Sequence, residues 1–557
     1  MPPFAHSESF GSPRFSDAHV ATIARDLGPI AAWQELVTQN PAASARGVEG
    51  DFAVGVHFPD GSSFLAVDRF AIQTLCYRVD EDGLHFAPRA DQLATTRTVV
   101  DPQAIFDYLY FHVIPAPRTI YQGILRLPPG HYAHWAQGKL TVAPYWVPVF
   151  DEIGAPDFAQ LEDEFRSLLR AGVARHLGAN QPACFLSGGT DSSTIVGMAT
   201  LASGKGVASY SIGFDAQGYD EMEFARIAAR HFKTEHHEYY VTPDDLVRSV
   251  PEVAAYFDQP FGNSSVLPAY YCAREARANG VDKMLAGDGG DELFGGNSRY
   301  AKQRVFGWYQ HAPGFVRNGV LEPLLATGLG RATSLTRKAS SYVEQARLPM
   351  PDRLQLYNLM TRLGVSDVLT PSIVARVDTG RPLKLQRHVW DAAQNASGLN
   401  RELAFDWRFT LADCDLRKVE GATRLAGVDV GFPMLDDALL DFSLKLPTQY
   451  KLNGGKLRWF FKEALRGFLP DEILVKKKQG FGLPFGVWTN QTPALRKLAS
   501  ESLDNLATRS VVNRGFVETL MRDRLPEHPG YYGEMVWILM MLEQWLQAKA
   551  PSFQVSA

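Results

Sequence analysis

The sequence predicts an α/β protein in two parts, a β-rich front and a larger part built on a parallel sheet that turns helical towards its end. Three observations carry this. The chain has 557 residues, too many for one ordinary core. Short strand-like runs broken by turn residues fill it to about residue 140. From about residue 181 apolar strand-like runs alternate with helical ones, as in a parallel sheet covered on both faces.

In the front part, GDFAVGVHF from Gly50, SSFLAVDRF, LCYRV and GLHFAP read as strands, separated by turns such as Asp60-Gly61 and Asp82-Gly83. Segment 101–115 reads as a helix. RLPPGHYAHWAQGKLTVAPYW reads as a hairpin opened by Pro128-Pro129-Gly130. The spacing in FAQLEDEFRSLLRAGVARHL predicts a helix, and the boundary falls near 150, giving domains 1–150 and 151–557. ACFLSGG, ASYSIGF, HHEYYV and KMLAGD are the strands of the second part, and beyond about 300 the chain reads as mostly helical.

Composition excludes several classes. Hydrophobic residues make up 45% and charged residues 21%, the balance of a soluble globular protein. The net charge of −5 is spread without single-sign runs, which argues against nucleic acid or a membrane surface as partner. Neither a signal peptide nor an apolar run of about 20 residues is seen, so no membrane helix is expected. Cys76, Cys184, Cys272 and Cys414 offer neither metal-ligand spacing nor a disulfide framework, and a reducing cytoplasm is the plain expectation.

The strongest local signal is strand, then Ser187-Gly188-Gly189-Thr190-Asp191-Ser192-Ser193, then helix. Glycines at a strand end let the backbone approach an anion, and the helix N-terminus then presents its amides and dipole. Ser187, Ser192 and Ser193 add hydroxyls, and Asp191 can hold Mg²⁺ against phosphates. The Walker pattern is absent. SGGTDSS resembles the pyrophosphate loop of the ATP pyrophosphatase group, whose members cleave ATP between the α- and β-phosphates and adenylate their substrates.

Further segments resemble asparagine synthetases in particular. Asp288-Gly289-Gly290-Asp291-Glu292-Leu293-Phe294-Gly295-Gly296 is similar to GEGSDELFGG, and Ser211-Ile212-Gly213-Phe214 to the strand that holds the adenine. Asp258-Gln259-Pro260 with Ser264-Ser265 resembles DEP…S. Gly427 to Asp436 resembles GVEARVPFLD, and Lys478-Gln479-Gly480-Phe481-Gly482 with Pro484 and Trp488 resembles KxGFGxPxxxW. The resemblance implies a glutaminase-like N-terminal domain of the Ntn type, an ATP-pyrophosphatase domain, and ATP and Mg²⁺ as cofactors. It further implies Leu186, Ser187, Gly188, Gly189, Asp191, Ser192, Ser193, Ile212, Gly213 and Gly287 at ATP, with Asp191 and Asp291 as the metal pair. Asp288, Lys478 and Asp415 are the implied catalytic residues.

The chain also departs from that family. Glutamine-dependent members begin with Met-Cys, the cysteine being the glutaminase nucleophile; position 2 here is Pro2, and RGPDG and NGEIYN segments are missing. Recognisable similarity starts at 49–58, so a remodelled front without glutaminase activity is expected. Asp288 stands where asparagine synthetases carry Glu and β-lactam synthetases carry Tyr, and Gly431 stands where the family has Arg. Both changes put free aspartate plus ammonia in doubt. The expectation is therefore an amide ligase that adenylates a carboxylate and transfers it to an amine, as a specialised biosynthetic enzyme or a macrocyclase such as a lasso peptide cyclase. Asparagine formation from free ammonia is the alternative, and a catalytically silent nucleotide-binding scaffold is the rival of another class. Partners expected are ATP, a small-molecule or peptide substrate, and a second copy or a biosynthetic partner protein.

Overall fold

Alternate residues of Phe52–His57 and Ser63–Val67 enter two different cores, which puts this pair of strands at the centre of the N-terminal architecture. Phe52, Val54, Val56, Phe64 and Ala66 join Trp33 on one side, while Ala53, Leu65 and Val67 join Tyr77, Leu84 and Phe86 on the other. Side chains of a strand point to opposite faces with period two, so strands covered on both faces read as continuous apolar runs. The computed structural model describes residues 7–154, 156–178, 181–303, 345–393, 396–476 and 482–555.

The front sheet has five antiparallel strands in the order Glu8–Gly11, Phe52–His57, Ser63–Val67, His131–Ala136 and Lys139–Pro144. Cys76–Asp80 pairs with Gly83–Ala87 in a smaller sheet, and Pro102–Phe111 is the expected helix. Sequence reasoning assigned nothing to the helices Ala18–Leu27 and Pro29–Gln39. Trp33 on the second of these packs its ring 5.2 Å from Phe52. The buried Asp68 carboxylate ends the strand VDRF by accepting from the amides of Phe70, Ile72 and Gln73, each at 3.0 Å.

The second sheet is parallel throughout, in the order Glu235–Val241, Ala208–Phe214, Ala183–Phe185, Lys283–Leu285 and Asp429–Gly431. The last strand is a short addition to a part that is otherwise mostly helical beyond about 300, as expected. Only three residues long, it shows no period, and its pairing with Lys283–Leu285 is a tertiary event. Helices cover both faces. Phe158–Ala174 packs its Phe165 ring against Phe294, Phe442, Phe460 and Phe461 at centroid distances of 5.2–5.9 Å. Pro529–Lys549 is buried from Met535 to Leu546 and anchors the largest core. Among the described residues no helix is long and apolar enough to cross a membrane.

Polar contacts tie the two sheets' surroundings together. Arg69 pairs with Asp437 at 3.2 Å and Asp441 at 3.0 Å, and Arg126 pairs with Asp413 at 2.9 Å. Tyr108 donates to the Ile538 carbonyl at 2.8 Å. Asp258 and Gln259 belong to this seam too: they accept from the amides of Ala90 at 2.9 Å and Ile120 at 3.1 Å.

Phe165 sits under the segment that carries Asp291 and Phe294, so its packing supports that segment. Phe165→Ala is expected to cost about 3–5 kcal/mol, the usual range for emptying a buried aromatic position. Urea unfolding of the variant against the parent checks it.

Candidate active site

The carboxyl ends of the parallel strands open onto a cavity of about 900 Å³. Ligands collect at such strand ends because the loops there are free to present amides and side chains. The size is that of a pocket for a small molecule of nucleotide scale.

One wall is the loop after Ala183–Phe185. The Leu186 amide donates to the Tyr210 carbonyl at 2.9 Å, which closes the strand, and Gly188 then turns the chain with φ +67°. A Cβ there would collide with the backbone of Phe224 and Ala225, so only glycine fits. Ser192 Oγ accepts from the Ser187 amide at 3.1 Å and lies 3.0 Å from Ser187 Oγ. The helix Thr190–Ser203 starts here with its N-terminal turn at the cavity, so Ser187, Gly189, Thr190, Asp191 and Ser192 form one rim. Leu186, Ile212 and Gly287 also line it.

Three expected contacts fall elsewhere. Ser193 is fully buried and its hydroxyl has no partner among the described residues, because the fourth residue of the helix has rotated away from the strand end. Gly213 is packed against the Tyr240 ring, within 2.6 Å of where its Cβ would be. Gly188 shapes the turn without lining the cavity. Gly431, which stands where the family has Arg, does not itself line the cavity, although its carbonyl accepts from the amide of the lining residue Ala286 at 2.9 Å; it pairs with Leu285, and a Cβ on it would stand 2.6 Å from His176 Nδ1.

The second wall is the segment after Lys283–Leu285, pressed onto the first. A Cβ on Gly287 would lie 2.9 Å from the Asp191 carbonyl carbon and the Ser192 amide nitrogen. One on Gly290 would overlap Asp191 Oδ1, and one on Gly296 would overlap Asp291 Oδ1. These contacts bring Asp191 and Asp291 to one place. Arg458 stands between them, its Nη1 bonded to Asp191 and 2.9 Å from Asp291 Oδ1. Among the described residues no cluster of three or more ligating side chains exists. The Asp191–Asp291 pair nevertheless suits Mg²⁺, which takes one or two carboxylates and draws its other ligands from phosphates and water.

Beside this pair lies a second charged group. Lys418 Nζ bonds Asp415 at 2.8 Å, and Asp288 shares the same space. Burial pushes the Asp288 carboxyl up to about 6; Lys418 opposes this, while Asp415 and Asp191 reinforce it. Burial works against the Lys418 charge, but Asp415 and Asp288 outweigh it and hold its pKa above the usual lysine value. Burial, with Asp291 and Asp415 as neighbours, raises Glu292 well above the carboxylate range.

The structure thus brings Asp191, Asp288, Asp291 and Asp415 into one cavity. Lys478 lies outside the described residues. Sequence reasoning missed Arg458, Lys418, Glu292 and Lys476. Lys476, at the cavity rim, bonds Glu221 at 3.0 Å and the Gly188 carbonyl at 3.3 Å. Arg458 had a faint signal in NGGKLRWF, a glycine turn followed by a basic residue at the head of an apolar helix. Lys418 had none, being one of many lysines on helices.

Residues 164–547 match the family model "Asparagine synthase", and residues 35–146 match "Glutamine amidotransferase domain". The chain belongs to the asparagine synthase family. The first match spans more than half of the chain, and the second reaches further forward than the similarity read at 49–58. Together they bear out an α/β fold that joins a β-rich glutaminase-type front to a synthetase-type parallel sheet. The chain is 23% identical over 490 residues to asparagine synthetase [glutamine-hydrolyzing] 1 of Bacillus subtilis, covering 86% of this chain and 74% of that protein. A putative asparagine synthetase [glutamine-hydrolyzing] of Mycobacterium bovis is 26% identical over 438 residues, covering 76% of this chain but only 65% of its own length. "Amidase chry2" of Gibberella zeae is 23% identical over 527 residues, covering 85% and 74%.

The Gly287 contact makes a direct prediction for this family member. Gly287→Ala forces the two cavity walls apart at backbone atoms, a strain of about 1–3 kcal/mol. ATP binding measured by calorimetry should weaken, with little change in helix content. Unchanged affinity would show that the close approach plays no part in holding the nucleotide.

Proposed function

We propose that the protein is an ATP-dependent amide ligase that adenylates a substrate carboxylate and passes the acyl group to a primary amine larger than ammonia. The observation that carries this reading is the adjacency, in one cavity, of the SGGTDSS rim and the Asp288–Lys418–Asp415 group. Under this reading the rim amides and the hydroxyls of Ser187 and Ser192 hold the phosphates. Asp191 and Asp291 would hold Mg²⁺, which when bound would supply positive charge against the phosphates. The substrate carboxylate oxygen attacks the α-phosphorus, and pyrophosphate leaves. Lys478 is assigned the stabilisation of charge at the α-phosphate, on its KQGFG context alone.

In the second step the amine nitrogen attacks the acyl carbon, AMP leaves with the bonding pair, and Asp288 takes the amine's proton. An amine is protonated at neutral pH and needs a base nearby before it can attack. Asp288 with its pKa near 6 suits that task, being ionised at pH 7 yet more basic than an ordinary carboxylate. Its shorter side chain leaves room for an amine bulkier than ammonia, which favours a specialised biosynthetic ligase, ring closure included. The division of labour falls near residue 150 under the same reading. Asparagine formation from free ammonia is the second reading; the Bacillus and mycobacterial relatives, named as glutamine-hydrolyzing asparagine synthetases, support asparagine as the product and not ammonia as the donor. A silent scaffold has less support, since it has no use for a carboxylate pair beside a phosphate rim; pyrophosphate release rejects it.

Two predictions follow from these roles. Asp288→Asn should keep adenylate formation, trapped with hydroxylamine, while slowing amide formation by about 10²-fold or more, the scale of a lost general base. In the parent enzyme the amide step should rise between pH 5 and 7 with a midpoint near 6, because below it Asp288 already carries the proton it must accept. Lys418 lowers the Asp288 pKa, so Lys418→Met should move that limb to higher pH. Equal loss of both steps in Asp288→Asn would assign the residue to ATP binding, and efficient turnover with ammonia would favour asparagine.

The protein is further expected to release no glutamate from glutamine. Cys76, the cysteine of the front part, is buried, and burial pushes its thiol well above the usual value, leaving no thiolate to attack an amide. Protein-dependent glutamate release above a blank would overturn this.

A further inference from the structure

Gly398–Asp406, Trp407–Asp415 and Leu416–Leu425 run on as one helix, and its middle stretch is a π-helix of nine residues. Such wide turns are rare inside helices and are frequent at functional sites. We propose that Asp413 and Arg417 are positioning residues through which the front part of the chain fixes the Asp415–Lys418 pair in the cavity. The inference rests on the ligase reading, in which that pair belongs to the acceptor side, and it gives the front part a task other than glutamine hydrolysis.

Thr410 and Asp415 both line the cavity. At the 3.6 residues per turn of an α-helix, residues five apart stand about 140° apart, whereas i→i+5 bonding stacks them on one face. The widening therefore turns Asp415 to the cavity together with Thr410. Asp413 instead meets the front part, with its side chain only 3% exposed. Its Oδ1 accepts from the Ala116 amide at 3.3 Å and from Arg126 Nη2 at 2.9 Å, and its Oδ2 accepts from Arg408. Arg126 is itself fixed: the same nitrogen donates to the Ile114 carbonyl at 2.9 Å, and the strand Leu125–Arg126 pairs with Cys76–Asp80. Arg417, one turn further on, repeats the grip. Its Nη2 donates to the carbonyls of Ala71 at 2.6 Å and Ile72 at 2.8 Å. Asp415 lies midway between Asp413 and Arg417 in the chain, so the front part holds the helix on both sides of it. A buried ion pair gains little net stability over apolar packing of the same volume, because desolvation offsets the attraction. What these contacts fix is the rotation of the helix about its axis. With it they fix the Asp415 carboxylate, 2.8 Å from Lys418 Nζ and in the same cavity as Asp288.

Lys418 reports where Asp415 stands. Burial works against its charge, but Asp415 and Asp288 hold its pKa above the usual lysine value, so little free amine is present to be acylated. The full-length parent, Arg126→Met, Asp415→Asn and the double variant are trace-labelled with acetic anhydride between about pH 8 and 10, below the ordinary lysine pKa. Mass spectrometry of the digests reads the rate at Lys418, and thermal unfolding checks each fold. The proposal expects Arg126→Met to label Lys418 about tenfold faster, the effect of one pKa unit, with Lys456 in the same cavity unchanged. Asp415→Asn should show a similar gain, and adding Arg126→Met to it should gain nothing further, because the first residue acts through the second. Arg417→Met removes the other grip and carries the same cycle if Arg126→Met fails to fold. Parent-like labelling in the folded variant, or a double variant that labels faster than Asp415→Asn alone, overturns the assignment and leaves a seam that is only structural. ATP, titrated calorimetrically, should bind Arg126→Met as it binds the parent; a loss there shows general distortion of the cavity and overturns it too. A parent that binds no ATP brings down the ligase reading instead, while the labelling still decides whether the front part holds Asp415.

Discussion

Arg458 and Lys418 balance a group of carboxylates that face one half-buried cavity, and the rest of the site depends on that balance. Asp191, Asp288, Asp291, Glu292 and Asp415 all line the same space. Left alone, such a group would take up protons until repulsion fell, since each ionised acid raises the pKa of the next. Arg458 between Asp191 and Asp291 and Lys418 beside Asp415 and Asp288 prevent this. The compensation is graded. Asp288 remains titratable near neutrality, while burial, with acids on several sides, raises Glu292 well above its usual value.

Crowding on this scale requires backbones in contact. Gly287 and Gly290 are places where the two strand-end loops touch, and a methyl group at either would push against Asp191, while one at Gly296 would meet Asp291 and Arg458. The loops cannot drift apart because what lies beneath them is rigid. Phe165 and its four aromatic neighbours support one loop, and Leu186 is pinned to the adjacent strand through its amide. Interiors packed in this way transmit position over several layers, which is how a helix far outside the cavity sets the spacing of two carboxylates.

The seam between the front sheet and the parallel sheet is built differently, from ion pairs and side chain to backbone bonds. Asp437 accepts the Gly50 amide at 2.6 Å and pairs with Arg69, and Asp413 is shared by Arg126 and Arg408. Several segments that resemble family motifs serve this seam or the framework. Asp258 and Gln259 hold the front part, Asp436 caps a helix and binds Arg175, and Trp488 packs on Phe214. Recurrence of a motif therefore marks architecture here as often as chemistry.

The sequence by itself determined the fold class, most of the strands and the SGGTDSS rim, while resemblance to the family, and not spacing, pointed to Asp191, Asp288, Asp291 and Asp415, all of which line the cavity. The features read directly are local: glycine at strand ends, and period-two and helical spacing. The short edge strand Asp429–Gly431, the inward rotation of Ser193 and the packing of Gly431 against His176 were decided only by tertiary structure, because each depends on what packs beside it. The same holds for Arg458 and Lys418. They lie far along the chain from Asp191, and a cation's partner is set by where the folded backbone delivers it, which no spacing in the sequence records.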